Sequence, residues 1–246
     1  MLITKNKIFE KTKPFNYSID FKNSITRGLL GYWLTNEGAG GIIRDLLKNN
    51  LGRLKNDSTW VSSRFGKSIL FNGTSSYIDL GSSGKWETTQ NGTIVVWINF
   101  SSFPATATIF GYGDDQASGA LCEFSVRNSA ITSNVPRLDI TVGIAGGAVH
   151  GAYGSKNLSA NTWYMVSCVS TGTAWDIEIN GISETLNIWV GSPGTQWFGD
   201  TNTNGTDLTT IGSVKYEGVI QNYSPGIITN IGIWNRNLST SELLSL

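Results

Sequence analysis

The final stretch of the chain, residues 226–246, constrains the fold more than any other. It reads GIITNIGIWNRNLSTSELLSL and starts with a β-branched apolar run through Trp234 that lacks the spacing of an amphipathic helix. We therefore predict a strand buried mostly on both faces. Ser239 and Glu242 then have the S-x-x-E spacing of a capping box, which predicts a short helix whose leucines cover one end of the core.

More strands are predicted at intervals set by turn residues. The chain has 29 glycines and only 15% charged residues, a composition that favours many short strands. Asn180-Gly181 is a strong signal for a two-residue hairpin. The other predicted strands cover 29–34, 92–100, 108–112, 121–127, 137–144, 148–154, 162–169, 174–182 and 208–212.

Charge and composition exclude several classes of protein. Eighteen basic residues balance 18 acidic ones, so the basic footprint of a nucleic-acid binder is missing and no nucleic-acid partner is expected. The sequence has no signal-peptide pattern and no apolar run of transmembrane length, so membrane insertion is not expected either. Cys122 and Cys168 lie in apolar runs, which predicts two buried free thiols.

Several ordered segments resemble laminin-G-like members of the concanavalin A-like lectin/glucanase superfamily. The closing stretch keeps that family's frame at Ile228, Ile231, Ile233, Trp234, Asn235, Arg236, Leu238, Ser239, Glu242 and Leu243. The opening GLLGYWLTNEGAGG keeps Gly28, Tyr32, Trp33, Asn36, Glu37, Gly38 and Gly40. The resemblance implies an all-β fold: a two-sheet antiparallel jelly-roll sandwich formed by residues 28–246, with an extended N-terminal arm and a short C-terminal helix.

Residues 1–27 differ from the rest of the chain. Their six basic residues outnumber two acidic ones, and apolar periodicity is weak. We predict an anchoring arm, with Lys5, Lys7, Lys11 and Lys13 as its assembly contacts; a disordered leader is the alternative.

Some members of the superfamily hydrolyse glycosides, so paired carboxylates must be considered. Asp176 and Glu178 are an i, i+2 pair, but they stand where the family has a solvent-facing hairpin, and the E-x-D-x-x-E arrangement of the glucanases is absent. His150 has no triad or metal partner near it in sequence. We therefore expect no enzymatic activity and no required cofactor.

A structural calcium ion is a further expectation from the resemblance. Asp45 is the best single candidate ligand, and Asp114 and Asp115 form a second acidic site. Thr229 and Asn230 replace an acidic pair that the family usually has, which removes charge from such a site.

Residues 188–207 form a long, aromatic-rich loop that we interpret as a glycan-binding or partner-binding surface. Aromatic platforms beside amides and carboxylates suit sugar rings and hydroxyls. A protein–protein contact and a loop folded onto its own core are the alternatives. The candidate ligand-binding residues are Trp189, Gln196, Trp197, Phe198, Asp200 and Asn202.

These features and the resemblance to proteins encoded among bacteriophage structural genes predict a non-enzymatic virion surface protein, either a head decoration or a tail-associated subunit. The expected partners are other virion proteins, bound through the arm, and cell-surface polysaccharide, with the chain forming a homo-oligomer in the assembly. A stand-alone carbohydrate-binding module and a glycoside hydrolase are the alternative functions.

Overall fold

The computed structural model describes residues 9–13, 16–82, 85–113, 119–144, 146–201 and 208–246. Within these ranges the secondary structure is almost entirely β. The strands are β1 (Phe9–Lys13), β2 (Asn16–Ile19), β3 (Leu29–Trp33), β4 (Ile42–Arg44), β5 (Leu51–Lys55), β6 (Thr59–Ser63), β7 (Gly66–Asn72), β8 (Tyr77–Gly81), β9 (Gly92–Phe100), β10 (Thr106–Gly113), β11 (Leu121–Arg127), β12 (Arg137–Gly143), β13 (Val149–Tyr153), β14 (Tyr164–Ser170), β15 (Trp175–Ile179), β16 (Ile182–Ser183), β17 (Asn187–Val190), β18 (Leu208–Ile211), β19 (Val214–Tyr216), β20 (Val219–Gln221) and β21 (Pro225–Trp234).

Two large antiparallel sheets form the sandwich. The nine-stranded sheet has the order β17-β13-β12-β11-β10-β18-β8-β5-β4. The eight-stranded sheet has the order β16-β15-β14-β9-β21-β7-β6, with β3 also paired to β21. One continuous apolar core lies between them and contains the inward-facing residues of both. The predicted all-β jelly-roll sandwich is confirmed.

Strand β9 shows why the central strands read as continuous apolar runs. Ile94, Val96 and Ile98 enter the main core, whereas Val95 joins a second apolar cluster, against which Trp97 packs. The strand is therefore buried on both faces, and alternation between apolar and polar residues is lost.

The closing strand β21 joins the two ends of the domain. It pairs with β9 on one side and with β7 and then β3 on the other, and Ile231 lies opposite Trp33. A bulge between Thr229 and Gly232 interrupts the ladder with β9, and the Thr229 hydroxyl lies 2.7 Å from the Thr35 hydroxyl. The predicted doubly buried strand is confirmed.

The predicted C-terminal capping box is also present. Ser239 is the N-cap of helix α2 (Thr240–Leu243), and its side chain and that of Glu242 each bind the other's backbone N–H. Leu243 is fully buried, but Leu244 is 64% exposed, so only part of the leucine run covers the core. A second short helix, α1 (Phe198–Thr201), lies in the long loop after β17.

The end of the predicted arm contacts the domain. Residues Ser24–Thr26 form a 3-10 turn, Ile25 is only 2% exposed, and its carbonyl accepts a 2.7 Å hydrogen bond from the Trp234 indole. Strands β1 and β2 form a separate hairpin that includes Lys11 and Lys13. Lys5 and Lys7 lie outside the described residues, and the anchoring role of the arm stays a prediction.

None of the helices in the described ranges has the length and apolar character needed to cross a bilayer.

Candidate functional site

The outward-facing surface of the nine-stranded sheet carries a group of polar residues on β11 and β12. Along β11 the residues Cys122, Phe124 and Val126 enter the core, so the alternate positions Ser125 and Arg127 face outward. The same alternation on β12 turns Asp139 outward, and β-sheet register places Asp139 directly opposite Ser125.

Asp139 is the centre of this group. It is fully buried and accepts three side-chain hydrogen bonds: from the Arg127 guanidinium at 3.0 Å, from the Thr141 hydroxyl at 2.8 Å, and from the Trp189 indole N–H at 2.9 Å. Both carboxylate oxygens are occupied, so the negative charge is compensated without solvent. We call Arg127, Asp139, Thr141 and Trp189 the Trp189 cluster.

The Trp189 ring lies on the sheet because Gly151 leaves room for it. A Cβ atom added to Gly151 would stand 2.3 Å from Trp189 Cε2, closer than any real contact. The Arg127 guanidinium carbon lies 4.7 Å from the Trp189 ring centroid, which is cation–π geometry. Trp189 remains partly exposed, so the cluster holds a tryptophan ring in a fixed orientation at the surface.

A second cation–aromatic pair lies beside the first. Arg137 is opposite Arg127 in the β11–β12 register, and Tyr153 is opposite Asp139 in the β12–β13 register. The Arg137 guanidinium carbon lies 5.4 Å from the Tyr153 ring centroid, and both residues are partly exposed. This region therefore offers two aromatic rings and two guanidinium groups on neighbouring strands.

The hairpin of β19 and β20 covers the sheet next to this region. A Cβ atom on Gly111 would stand 2.6 Å from the Ser213 carbonyl oxygen, so glycine permits the close approach of the chain just before β19. After the hairpin, the Asn222 side-chain amide donates to Glu123 at 3.0 Å, and the Thr108 hydroxyl donates to the same oxygen. Burial raises the pKa of Glu123, although both hydrogen bonds oppose that shift.

Two buried polar atoms of strand β11 have no partner among the described residues. They are the Ser125 hydroxyl and the Arg127 Nε. Burying a donor without a partner costs free energy, and such atoms frequently mark a position completed by water or a ligand.

Of the predicted ligand-binding residues that the structure describes, only Trp189 lies at this surface. Trp197 is 1% exposed and Phe198 is fully buried, and both belong to the main core. The Phe198 ring meets the rings of Phe110 at 6.0 Å and Tyr112 at 5.8 Å. The prediction that Trp197 and Phe198 form an exposed platform is wrong, because these aromatic side chains anchor their loop to the core.

The remaining predicted residues of that loop have local structural contacts. The Gln196 carbonyl accepts a hydrogen bond from the Trp175 indole at 2.7 Å, and the Asp200 carboxylate accepts the Trp197 backbone N–H at 2.8 Å. Asn202 lies outside the described residues, so its predicted role stays a prediction.

The surroundings of Asp45 do not fit a calcium ion. Asp45 is 2% exposed, and its carboxylate accepts the backbone N–H groups of Tyr32, Leu47 and Asn49 at 2.9, 3.0 and 3.3 Å. Calcium needs six to eight oxygen ligands, whereas this carboxylate faces N–H donors. The described ranges also contain no group of three or more histidine, cysteine or acidic residues suited to a metal. Asp45 therefore stabilises its own turn; Asp114 and Asp115 lie outside the described residues.

The other titratable candidates also have structural contacts. Asp176 accepts a 2.6 Å hydrogen bond from the Ser183 hydroxyl, and Glu178 accepts one of 3.1 Å from the Thr240 hydroxyl. Burial raises the pKa of Glu178. His150 lies on β13 and its Nδ1 accepts the Ser192 backbone N–H at 3.1 Å. Cys122 and Cys168 are buried free thiols, as predicted.

Sequence reasoning missed Arg127, Asp139 and Thr141. The signal was present in the alternation of LCEFSVR and RLDITVG, in which polar residues recur at every second position on two adjacent strands. It shows which residues face outward, but it does not show that Trp189, 50 positions after Asp139, contacts them.

Comparisons with known proteins agree with this architecture. The profile of a family described as the concanavalin A-like lectin/glucanases superfamily matches residues 72–244, well over half of the chain. A comparison with curated protein sequences finds no match.

Three solved structures illustrate the likeness. Domain 4 of AbnA, a GH43 extracellular arabinanase from Geobacillus stearothermophilus in complex with arabinotriose, is 15% identical with a TM-score of 0.63, over 88% of this chain and 96% of that domain. A Trypanosoma rangeli sialidase is 18% identical with a TM-score of 0.62, over 90% of this chain but 33% of the sialidase. The CBM40 domain of a Ruminococcus gnavus IT-sialidase, bound to α2,3-sialyllactose, is 14% identical with a TM-score of 0.54, over 65% and 83% of the two chains.

At such low identities these structures show a shared fold and nothing finer. Together with the profile match, the sandwich and its closing strand establish the family: the chain belongs to the concanavalin A-like lectin/glucanases superfamily.

Proposed function

We propose that this protein is a non-enzymatic, lectin-like binding protein that holds an oligosaccharide against the Trp189 cluster. One observation carries the proposal: the partly exposed Trp189 ring is fixed by its N–H bond to the buried carboxylate of Asp139. A ring that is already oriented loses little conformational freedom when a ligand stacks on it.

The chemistry of the surrounding groups suits a sugar. The apolar C–H face of a pyranose or furanose ring packs on an indole, and the ring hydroxyls and any carboxylate need hydrogen-bond donors close by. Arg127 and Arg137 supply guanidinium groups on adjacent strands. Tyr153 adds a second aromatic ring next to them.

Two of the similar structures support this proposal by analogy, since one is a complex with arabinotriose and the other is bound to α2,3-sialyllactose. The buried state of the two carboxylates, Glu123 and Asp139, supports a binding role over hydrolysis, because a glycosidase needs carboxyl groups that reach the scissile bond. Each is already engaged by neighbouring side chains.

The test is a glycan array probed with the tagged full chain and two variants. Trp189→Ala removes the platform, and we expect its array signal to fall at least tenfold. Ile188→Ala is the matched control, because Ile188 is the preceding residue of β17 and is 64% exposed. Circular dichroism checks that all three chains are folded. Equal array signals from the wild-type chain and Trp189→Ala would refute the site.

We further propose that the protein is displayed on a bacteriophage particle, as a head decoration or tail subunit, in many copies held by its N-terminal segment. The lysine-rich composition of residues 1–27 and the phage-like opening of the domain support this placement. Multiple copies would compensate for weak individual sugar sites through avidity.

A truncation that keeps every N-terminal residue known to contact the domain tests whether the N-terminal segment anchors the protein to the particle. Residues 24–27 contact the domain, so the deletion should stop at residue 18. We expect the shortened chain to fold and to be absent from purified particles analysed by mass spectrometry. Incorporation equal to that of the full chain would contradict the anchoring role.

A further inference from the structure

A cavity of about 330 Å³ lies on the opposite side of the sandwich, on the outer surface of the eight-stranded sheet. Trp97 and Met165 are directly opposite each other in the β9–β14 register, so their side chains leave the same face of the sheet. Trp163 stands beside them, and the Phe65 ring contacts both indoles, at 4.7 Å from Trp97 and 5.2 Å from Trp163. These contacts build an aromatic wall over the Met165 side chain.

The C-terminal residues and a hairpin form the other side of the cavity. Leu244 and Leu246 line it, and Leu244 packs so closely on the β15–β16 turn that a Cβ atom at Gly181 would stand 2.3 Å from it. Asn180, which also lines the cavity, accepts the Met165 backbone N–H at 2.9 Å through its side-chain oxygen. That bond fixes the turn against the sheet, so the cavity has a defined shape.

Among the described residues that line the cavity, Arg64 has the only charged side chain. Its guanidinium carbon lies 5.1 Å from the Phe65 ring centroid and 5.5 Å from that of Trp97. The side chain is exposed, and it forms no ion pair or hydrogen bond with any described residue. A positive charge is thus held over an aromatic wall, with no acidic side chain of the described residues within ion-pair distance.

We infer that this cavity binds a small amphipathic anion, with a flat apolar body and one carboxylate. The volume and the mostly apolar lining are those of a small-molecule site, in which a few polar groups fix orientation. The apolar body would lie between the two indoles and the two leucines, and the carboxylate would meet the Arg64 guanidinium, which favours planar bidentate partners. The site is separate from the Trp189 cluster and does not depend on the proposed function.

The experiment compares two probes that differ only in charge. Indole-3-acetate has a carboxylate, and indole-3-acetamide replaces it with a neutral amide of the same shape. We expect isothermal titration calorimetry on the full chain to give about tenfold tighter binding of the acetate, a difference of about 1.4 kcal/mol, since only the acetate forms a charge-assisted pair with the Arg64 guanidinium.

Variants locate the site. Arg64→Gln should weaken acetate binding about tenfold, because it removes the guanidinium that pairs with the carboxylate, and it should change binding of the neutral amide much less. Leu244→Glu should weaken acetate binding as well, since it adds a negative charge at the rim. Arg53→Gln is the matched control, an exposed arginine on the other sheet.

Four results would overturn the inference. For the wild-type chain, these are equal affinity for the two probes and no detectable binding of either probe at millimolar concentration. For the variants, these are acetate binding that is unchanged in Arg64→Gln and acetate binding that is weakened as much in Arg53→Gln as in Arg64→Gln.

Discussion

Gly151→Ala tests the geometry of the Trp189 cluster with the smallest available change. The new methyl group would stand 2.3 to 2.5 Å from three atoms of the Trp189 indole, and normal contact needs about 1 Å more. A ring displaced by that amount no longer keeps the 2.9 Å bond between its N–H and Asp139. Overpacking and the loss of one charge-assisted hydrogen bond each cost about 1–3 kcal/mol, so we expect the free energy of unfolding to fall by about 2–6 kcal/mol.

Urea unfolding followed by circular dichroism measures this loss, and the glycan array measures the accompanying loss of sugar binding. Gly147→Ala is the matched control. Gly147 precedes β13, and a Cβ atom there would be 3.4 Å from its nearest neighbour, a tolerated contact. An unchanged unfolding midpoint for Gly151→Ala would refute the reasoning, because it would mean that the Trp189 ring does not occupy that space.

Three further changes test other parts of the structure. Glu123→Gln should raise the free energy of unfolding at neutral pH, because burial raises the pKa of Glu123 and ionisation of this carboxyl group therefore destabilises the folded state. The stabilising contribution of the protonated carboxyl group is complete below its unfolded-state pKa and is lost as pH rises through its folded-state pKa. The gain in stability from Glu123→Gln should therefore be absent below the unfolded-state pKa. Glu242→Gln should act in the opposite way, because hydrogen bonds from Arg236 lower the Glu242 pKa from 4.5 to about 2. Glu242→Gln should lower the free energy of unfolding by about 1 kcal/mol at neutral pH, since solvent screens the partly exposed Arg236–Glu242 pair. This loss should vanish as pH falls from 4.5 through about 2. Urea unfolding at a series of pH values measures both effects. Trp197→Ala should lower the free energy of unfolding by about 3–5 kcal/mol in urea unfolding, as expected for a core side chain. A loss below about 1 kcal/mol would instead indicate that Trp197 lies at the surface, as predicted from the sequence.

The parts of the fold that the sequence predicts well are those fixed by local chemistry. The bounds of β9 and β11 match the prediction to the residue, because turn residues flank both runs. The S-x-x-E capping box at Ser239 forms as predicted, since its two hydrogen bonds join residues three apart. These features need no knowledge of which strands become neighbours.

The candidate site depended on information that local patterns do not contain. Trp189 and Trp197 lie in the same aromatic-rich stretch, yet one is partly exposed on the sheet and the other is buried in the core. Composition alone does not separate a binding platform from an anchor. Ile25 illustrates the same limit, because its burial depends on Trp234, more than 200 residues away in sequence.

The central claim is that an oligosaccharide contacts the Trp189 ring. The most direct measurement is the indole N–H region of a ¹H–¹⁵N NMR spectrum, in which the nine tryptophans give separate signals once each is assigned by substitution. On titration with the strongest array ligand, the account predicts that the Trp189 signal shifts in proportion to occupancy and that the signals of Trp97 and Trp163 stay in place. A saturating ligand that leaves the Trp189 signal unmoved while shifting another tryptophan would contradict it.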